Sequence, residues 1–276
     1  MPLFVVATPI GNLGDITARA LEVLRDSDVV ACEDTRRTRA LLTHFGLSKP
    51  LVSLPAFDED NRAGPLLARL SRGDKVALVT DAGTPAISDP GAILVRRAAA
   101  AGVEIVPIPG ASAVAAAVSA SGLAADRFVF LGFLPRSGAG RAETLARAAA
   151  TGFALVIYEA PGRVGATLGD LLEALGDRRA LVARELTKLH EELARGTLSA
   201  LAARFSGEVR GEVVIVVDAG EPPAVKDAAP VVPLEDALRA RLATGESAKD
   251  ASRALAQERG LSRREVYQLA LGLLGK

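Results

Sequence analysis

The chain has 276 residues, enough for two domains and a small appendage. Apolar residues make up 49% of it and aromatic residues only 4%, so its core must be built from Ala, Val, Leu and Ile. Lys plus Arg equals Asp plus Glu at 33 each, which removes any global charge argument for a nucleic-acid partner. The single cysteine, Cys32, excludes an internal disulfide and suits a reducing, cytoplasmic setting. With only two histidines beside it, no metal site is expected. The opening M-P-L-F-V-V-A-T-P-I-G-N lacks a basic run, so no signal peptide is expected. The most apolar stretch, 98–125, is broken by Glu104, Pro107 and Pro109, which argues against a membrane span.

Short β-branched runs alternate with Ala/Leu/Arg-rich stretches. Strands are predicted at 3–7, 29–32, 51–54, 76–80, 103–106, 128–131, 154–158, 181–184 and 213–217. Several are continuous apolar runs, the pattern of parallel strands covered by helices on both faces. Helices are predicted at 17–25, 36–45, 65–71, 93–101, 142–150, 165–175 and 199–205, with a further small-residue helix after Gly110. The alternation reads as α/β. The expected organisation is an N-terminal α/β lobe at 1–120 and a C-terminal α/β lobe at 121–220. A Pro-rich linker at 221–233 and a helical tail at 234–276 complete it. In the tail, Ser247–Asp250 and Ser262–Glu265 match a broad capping box, and Gly260 between them reads as a helix stop. Two capped helices with a tight turn resemble a helix-turn-helix unit, with Arg263 and Arg264 opening the second helix; a packing or dimerisation module fits the same pattern.

Three turns follow predicted strands. T-P-I-G-N-L-G-D at 8–15 is Gly-rich, but it has neither the G-x-G-x-x-G spacing of a dinucleotide site nor the Gly-Lys-Ser/Thr of a P-loop. A tight turn and a ligand loop fit it equally well. V-T-D-A-G-T-P-A-I-S-D-P-G at 79–91 is a stronger signal. Its prolines stiffen the loop and its glycines expose backbone, which suits recognition of a small molecule by main-chain groups at the carboxyl end of a strand. P-I-P-G-A-S-A at 107–113 opens a small-residue helix, which permits close approach of a flat ligand or of another helix.

These turns carry a family resemblance. Together with A-C-E-D-T-R-x-T at 31–38, G-F-L-P-R at 132–136, Y-E-A-P-x-R at 158–163 and A-R-E-L-T-K at 183–188, the sequence resembles the tetrapyrrole methylase superfamily of S-adenosylmethionine-dependent methyltransferases, and its ribosomal RNA branch in particular. The resemblance spans 3–217. It implies a two-lobed fold with the ligand cleft between the lobes, usually in a homodimer. It also implies 2′-O-methylation of a cytidine ribose in the decoding region of 16S rRNA, in the small ribosomal subunit. Carried onto this chain, the S-adenosylmethionine site falls on Pro9, Asp81, Ala82, Gly83, Thr84, Ile87, Ser88, Ser112 and Ala113. In the second lobe it falls on Tyr158, Leu186, Gly211, Glu212 and Val213. The chain departs from the pattern at 57–62, where a usual His-Asn-Glu run reads Asp60-Asn61-Arg62, and at Gly162, where His often precedes the arginine. Essential roles for those histidines are therefore not carried over.

Methylation of a ribose hydroxyl needs alignment and proton removal. The expected catalytic groups are Glu159 as base, with Arg163 and Lys188 stabilising charge. Expected RNA contacts are Arg36, Arg37 and Arg39 after the second strand and Arg136 and Arg141 after the G-F-L-P turn, with Arg147 nearby. Ion pairs in a cleft and a solvated helix face are the competing readings. Two other functions fit the residues less well: a methylase of a tetrapyrrole or a diphthamide precursor on the same fold, and a non-catalytic RNA-binding assembly protein. The intact D-A-G-T-P-x-I-S-D-P-G loop argues against the second.

Overall fold

The computed structural model describes residues 1–220, 233–259 and 261–273. Contacts divide it into two units, Met1–Pro222 and Pro223–Lys276. The first holds two five-stranded sheets, each with its own helices.

The first sheet is built from β1 (Leu3–Val6), β2 (Val29–Cys32), β3 (Leu51–Ser53), β4 (Val76–Leu78) and β5 (Ile105–Ile108), in the order β3-β2-β4-β1-β5. All its pairings are parallel. Its continuous apolar strands follow from cover on both faces. On one face Leu3, Val29, Ala31 and Leu78 meet Leu66 of α3 (Glu59–Ser71) and Leu94 of α4 (Ala92–Ala100). On the other, Val6, Val30 and Cys32 meet Leu24 of α1 (Ala18–Asp26) and Leu42 of α2 (Thr35–His44). Each fully buried leucine contributes about 2 kcal/mol. Burial also raises the pKa of the Cys32 thiol, which marks it as an inert core residue.

Because β1 lies between β4 and β5, the loops leaving these three strands emerge side by side at one end of the sheet. These are the three turns singled out in the sequence. The strand order, which no local pattern reveals, brings them together. Open α/β sheets bind their ligands at such places.

α5 (Ala113–Ser121) corrects the expected lobe boundary at 120. It packs on the second sheet, with Ala117 buried against Leu181, Val214 and Val216. That sheet runs β6-β7-β10-β8-β9, from β6 (Phe128–Phe133), β7 (Ala154–Glu159), β8 (Arg179–Arg184), β9 (Glu192–Thr197) and β10 (Val213–Val217). Only β6 and β7 are parallel; the other pairings are antiparallel, so the all-parallel expectation holds for the first sheet alone. Opposite α5, the sheet is covered by α6 (Ala139–Ala149), α7 (Val164–Leu175) and α8 (Leu198–Arg204), which bury Leu145, Leu168, Leu171 and Leu201.

The strand β9 has no counterpart among the predicted elements. It lies at the edge of the sheet and carries Glu192 and Arg195, so it lacks the apolar signature of its neighbours. Arg195 donates to the carbonyls of Ala120 and Ser121 and so closes the end of α5. Helix α3 begins at Glu59, not Pro65; the proline lies inside the helix. Just before the departing Asp60-Asn61-Arg62 run, the Glu59 carboxylate accepts from the amides of Ile93 (2.7 Å) and Leu94 (3.0 Å) and caps α4.

The second unit contains α9 (Leu234–Ala243), α10 (Ala248–Arg259) and α11 (Arg263–Leu273) around a core of Leu238, Ala251, Leu255, Val266 and Ala270. Ser247 Oγ accepts from the Asp250 amide at 3.1 Å and donates to its carboxylate at 2.6 Å, so the N-cap half of the first capping box is formed. The predicted stop at Gly260 and nearly all of the 221–233 linker lie outside the described residues. No described helix is long and apolar enough to cross a membrane, and no group of three metal-ligating side chains occurs among the described residues.

Candidate active site

A cavity of about 400 Å³ opens between the two sheets of the first unit, within the usual range for small-molecule sites. The loop after β4 forms one wall through Ala82, Gly83, Thr84, Ile87 and Ser88. The start of α5 adds Ser112 and Ala113. The second lobe contributes Tyr158 from β7, Leu186 after β8, and Gly211, Glu212 and Val213 leading into β10. Of the positions expected to hold the cofactor, two stand back from this cavity. Pro9 is buried, and its neighbour Ile10 lines the space instead. Asp81 turns away: its carboxylate accepts from the Asp34 amide at 3.1 Å and pairs with Arg37 at 3.5 Å. Ile10, Asp89 and Phe133 are lining residues that the sequence reading missed.

The walls are held by backbone. Thr8 donates its amide to the Gly83 carbonyl at 2.8 Å and accepts from the Gly83 amide at 3.1 Å, which fastens the β4 loop to the β1 loop. Ala86, Ser88, Glu185 and Thr187 are non-glycine residues with φ between 52° and 68°. They lie in the two loops that face each other across the cavity. Left-handed backbone at such residues costs free energy and concentrates at ligand sites.

The seam between the lobes is tight at Gly11. A Cβ there would lie 2.5 Å from Lys188 Cγ, 2.8 Å from Thr187 Oγ1 and 3.0 Å from the Leu186 carbonyl oxygen. Next to it, the Asn12 amide donates to Thr187 Oγ1 at 3.0 Å. Gly11→Ala should therefore push the pocket-lining Leu186 aside. Overpacking of this kind costs about 1–3 kcal/mol, and we expect a comparable weakening of ligand binding, read by calorimetry. Unchanged affinity would mean that the seam yields freely.

Each member of the expected catalytic trio lies in an ion pair. Glu159 is 2% exposed, and both carboxylate oxygens are engaged. Oε1 accepts from the Ala160 amide at 2.7 Å and Arg163 Nε at 2.6 Å, and Oε2 accepts from Thr167 Oγ1 at 2.5 Å. Glu159 thus anchors β7 to α7, and a carboxylate so occupied is not placed to take a substrate proton. Arg163 spends its guanidinium on Glu159 and the Leu134 carbonyl. Lys188 Nζ sits between Glu185 (2.8 Å) and Glu212 (3.2 Å), and this pairing lowers the Glu185 pKa.

Arg141 is corrected as an RNA contact. It is 7% exposed and donates to Asp170 (2.6 Å), the Pro135 carbonyl (3.0 Å) and Thr167 (2.8 Å). Arg36, Arg37, Arg39 and Arg136 are exposed, as is Arg147. Asp34 caps α2 through the Arg36 amide at 2.8 Å, and its bonds to Arg36 hold its carboxyl down at about 2.

The sequence pattern described as Tetrapyrrole (Corrin/Porphyrin) Methylases matches residues 2–202. A relative from Synechocystis sp., named ribosomal RNA small subunit methyltransferase I, is 48% identical over 273 residues, covering 98% of each chain. One of the same name from Pseudomonas aeruginosa is 43% identical, covering 99% of this chain and 98% of its own. Among solved structures, diphthine synthase superposes with a TM-score of 0.61 at 21% identity, over 78% of this chain and 89% of that one. Uroporphyrin-III C-methyltransferase from Thermus thermophilus, complexed with S-adenosylhomocysteine, superposes with a TM-score of 0.59 at 19% identity, over 79% of this chain and 97% of that one. At such identities these two speak for the fold alone. The profile match and the full-length relatives go further: the chain belongs to the tetrapyrrole methylase family, in the branch whose members bear the name ribosomal RNA small subunit methyltransferase I.

Proposed function

We propose that this protein transfers a methyl group from S-adenosylmethionine to the 2′-hydroxyl of a cytidine ribose in the decoding region of 16S rRNA, within the small ribosomal subunit. The observation that carries the reading is the inter-lobe cavity, lined by exposed backbone and small side chains, in a chain 48% identical over 98% of its length to a small subunit rRNA methyltransferase. S-adenosylmethionine supplies a methyl group already activated on a sulfonium. The residues fit such a ligand. The 82–84 turn and the first amides of α5 offer main-chain donors. Leu186, Val213 and Ile10 give apolar cover, and Tyr158 and Phe133 give flat surfaces. The test is transfer of labelled methyl from S-adenosylmethionine to small subunits from cells lacking the gene, beside free 16S rRNA and a tetrapyrrole. Label on subunits alone supports the reading; label on the tetrapyrrole alone overturns it.

The RNA surface on this reading is the exposed set Arg36, Arg37, Arg39 and Arg136, with Arg263 and Arg264 of the tail as a second contact. Phosphate contacts lose affinity as salt rises. Substitution of Arg37, Arg39 and Arg136 together by Ala is expected to raise KM for subunits about tenfold and to flatten its salt dependence. S-adenosylmethionine affinity should stay unchanged. A KM equal to wild type at every salt concentration would remove these residues from the interface. The reading also includes a cytoplasmic homodimer, with Phe57 and Leu189, each 93% exposed, as large apolar side chains available for burial; light scattering tests it.

A further inference from the structure

Three carboxylates line the cavity: Asp89, Glu159 and Glu212. Two of them are taken. Glu159 is bound by Arg163 and Thr167, and Glu212 by Lys188. Asp89 forms no ion pair with any described residue, although it is only partly exposed. Its place is fixed from both sides. Ser88 before it holds a left-handed backbone, Pro90 follows it, and the Ala86 amide donates to the Pro90 carbonyl at 3.3 Å. Gly132 of the second lobe closes on Ser88, where a Cβ would lie 3.1 Å from the hydroxyl. The loop therefore presents to the cavity one carboxylate with no cation partner among the described residues, while the cavity's other acids are paired.

We propose that Asp89 is the general base of the reaction, taking the proton of the ribose 2′-hydroxyl as that oxygen is methylated. This rests on the ribose-methylation reading above. In the step, the O–CH3 bond forms and the S–CH3 bond breaks. The electron pair of the broken bond remains on sulfur, which becomes a neutral thioether, and the hydroxyl proton passes to the Asp89 carboxylate and then to water. A hydroxyl is a poor nucleophile at neutral pH, so a base in reach of it is what the site otherwise lacks.

The electrostatics agree with the geometry. Burial is the largest influence on Asp89 and pushes its carboxyl up to about 6. Glu33 beyond β2, Asp81 beyond β4 and Glu212 before β10 push it the same way, while Thr80 draws it down without meeting it in a well-formed hydrogen bond. Tyr158 faces it across the cavity, and its phenol pKa is raised by burial first and by Asp89 second. No cation stands among these groups; Arg37 pairs with Asp81, and Lys188 with Glu185 and Glu212. A base with a pKa near 6 is largely ionised at neutral pH and still basic enough to accept a proton.

The experiment compares wild type, Asp89→Asn and Asp89→Glu by single-turnover methylation of small subunits across pH, by calorimetric binding of S-adenosylhomocysteine, and by carbon NMR of protein labelled at the aspartate carboxyls. Wild-type rate should fall tenfold per pH unit below about 6 and level off above 7. Asp89→Asn should lose at least about 100-fold in rate and lose that acidic limb. Its cofactor affinity should stay within about threefold. A carboxyl resonance titrating near 6 should be absent from it. Asp89→Glu should regain part of the rate with a displaced limb, which a merely structural role would not give. Three results would overturn the proposal: an Asn variant at full rate, an Asn variant whose rate loss matches its loss of cofactor binding, or a carboxyl that titrates in the ordinary aspartate range. A wild-type protein that binds S-adenosylmethionine but methylates no RNA would instead overturn the functional reading.

Discussion

Glu159→Ala is expected to destabilise the protein by about 3–5 kcal/mol, the usual cost of removing one partner from a buried ion pair. The variant leaves Arg163 without its main partner and removes the carboxylate that accepts from Thr167 Oγ1. Arg141 Nη1, 3.9 Å from Oε2 and with a side chain 8% exposed, loses the nearest buried anion. The effect concentrates at one seam, because Arg141 of α6, Glu159 of β7 and Thr167 and Asp170 of α7 form a single network. At about 2–4 °C per kcal/mol for a chain of this size, the melting temperature should fall by about 10 °C. Glu159→Gln should cost less, since an amide keeps an acceptor for the Ala160 amide and Arg163. Melting curves of both variants check this. An Ala variant that melts with wild type yet loses all activity would return Glu159 to a catalytic role and contradict the assignment made here.

Ala113→Phe is expected to abolish cofactor binding while leaving the fold in place. Ala113 is the first residue of α5, follows the Ser112 cap, and lines the cavity. A benzyl group there points into space a ligand must occupy, and the buried face of α5, with Ala117 in the core, is untouched. Affinity should fall at least about 100-fold, or about 2.8 kcal/mol. Wild type with S-adenosylmethionine at 100 times Kd should gain about 2.7 kcal/mol of stability, a rise of about 5–10 °C in melting temperature. The variant should melt within a few degrees of unliganded wild type and gain nothing from the ligand. A variant that still responds to it would move the binding site away from the start of α5.

The fold was largely legible because its strands are continuous apolar runs, such as Val29–Cys32 and Val213–Val217, buried on both faces. What was not legible depends on spatial neighbours. β9 hides behind the charges of an edge strand, and Pro65 mimics the start of a helix that begins at Glu59. The loops that line the cavity could be named from their motifs, but their convergence comes from the position of β1 between β4 and β5. What the sequence leaves open at the site is side-chain direction. Arg141 sits in a basic run that reads as surface, yet it shares a helix face with Leu145 and Ala148, a spacing that marks the buried side of α6. The Asp81 side chain bonds the Asp34 amide that precedes α2, a contact no local pattern reveals. Asp89 stood in a quoted motif and was passed over, because nothing in the sequence distinguishes a carboxylate that has a cation from one that does not.

The most direct test of the central claim is to digest the small-subunit RNA labelled by this enzyme to nucleosides and identify the one that carries the methyl group. The expected product is 2′-O-methylcytidine from a single position in the decoding region, formed by wild type and not by Ala113→Phe. Label on a base, on many positions, or on no nucleoside despite demonstrated cofactor binding would contradict it.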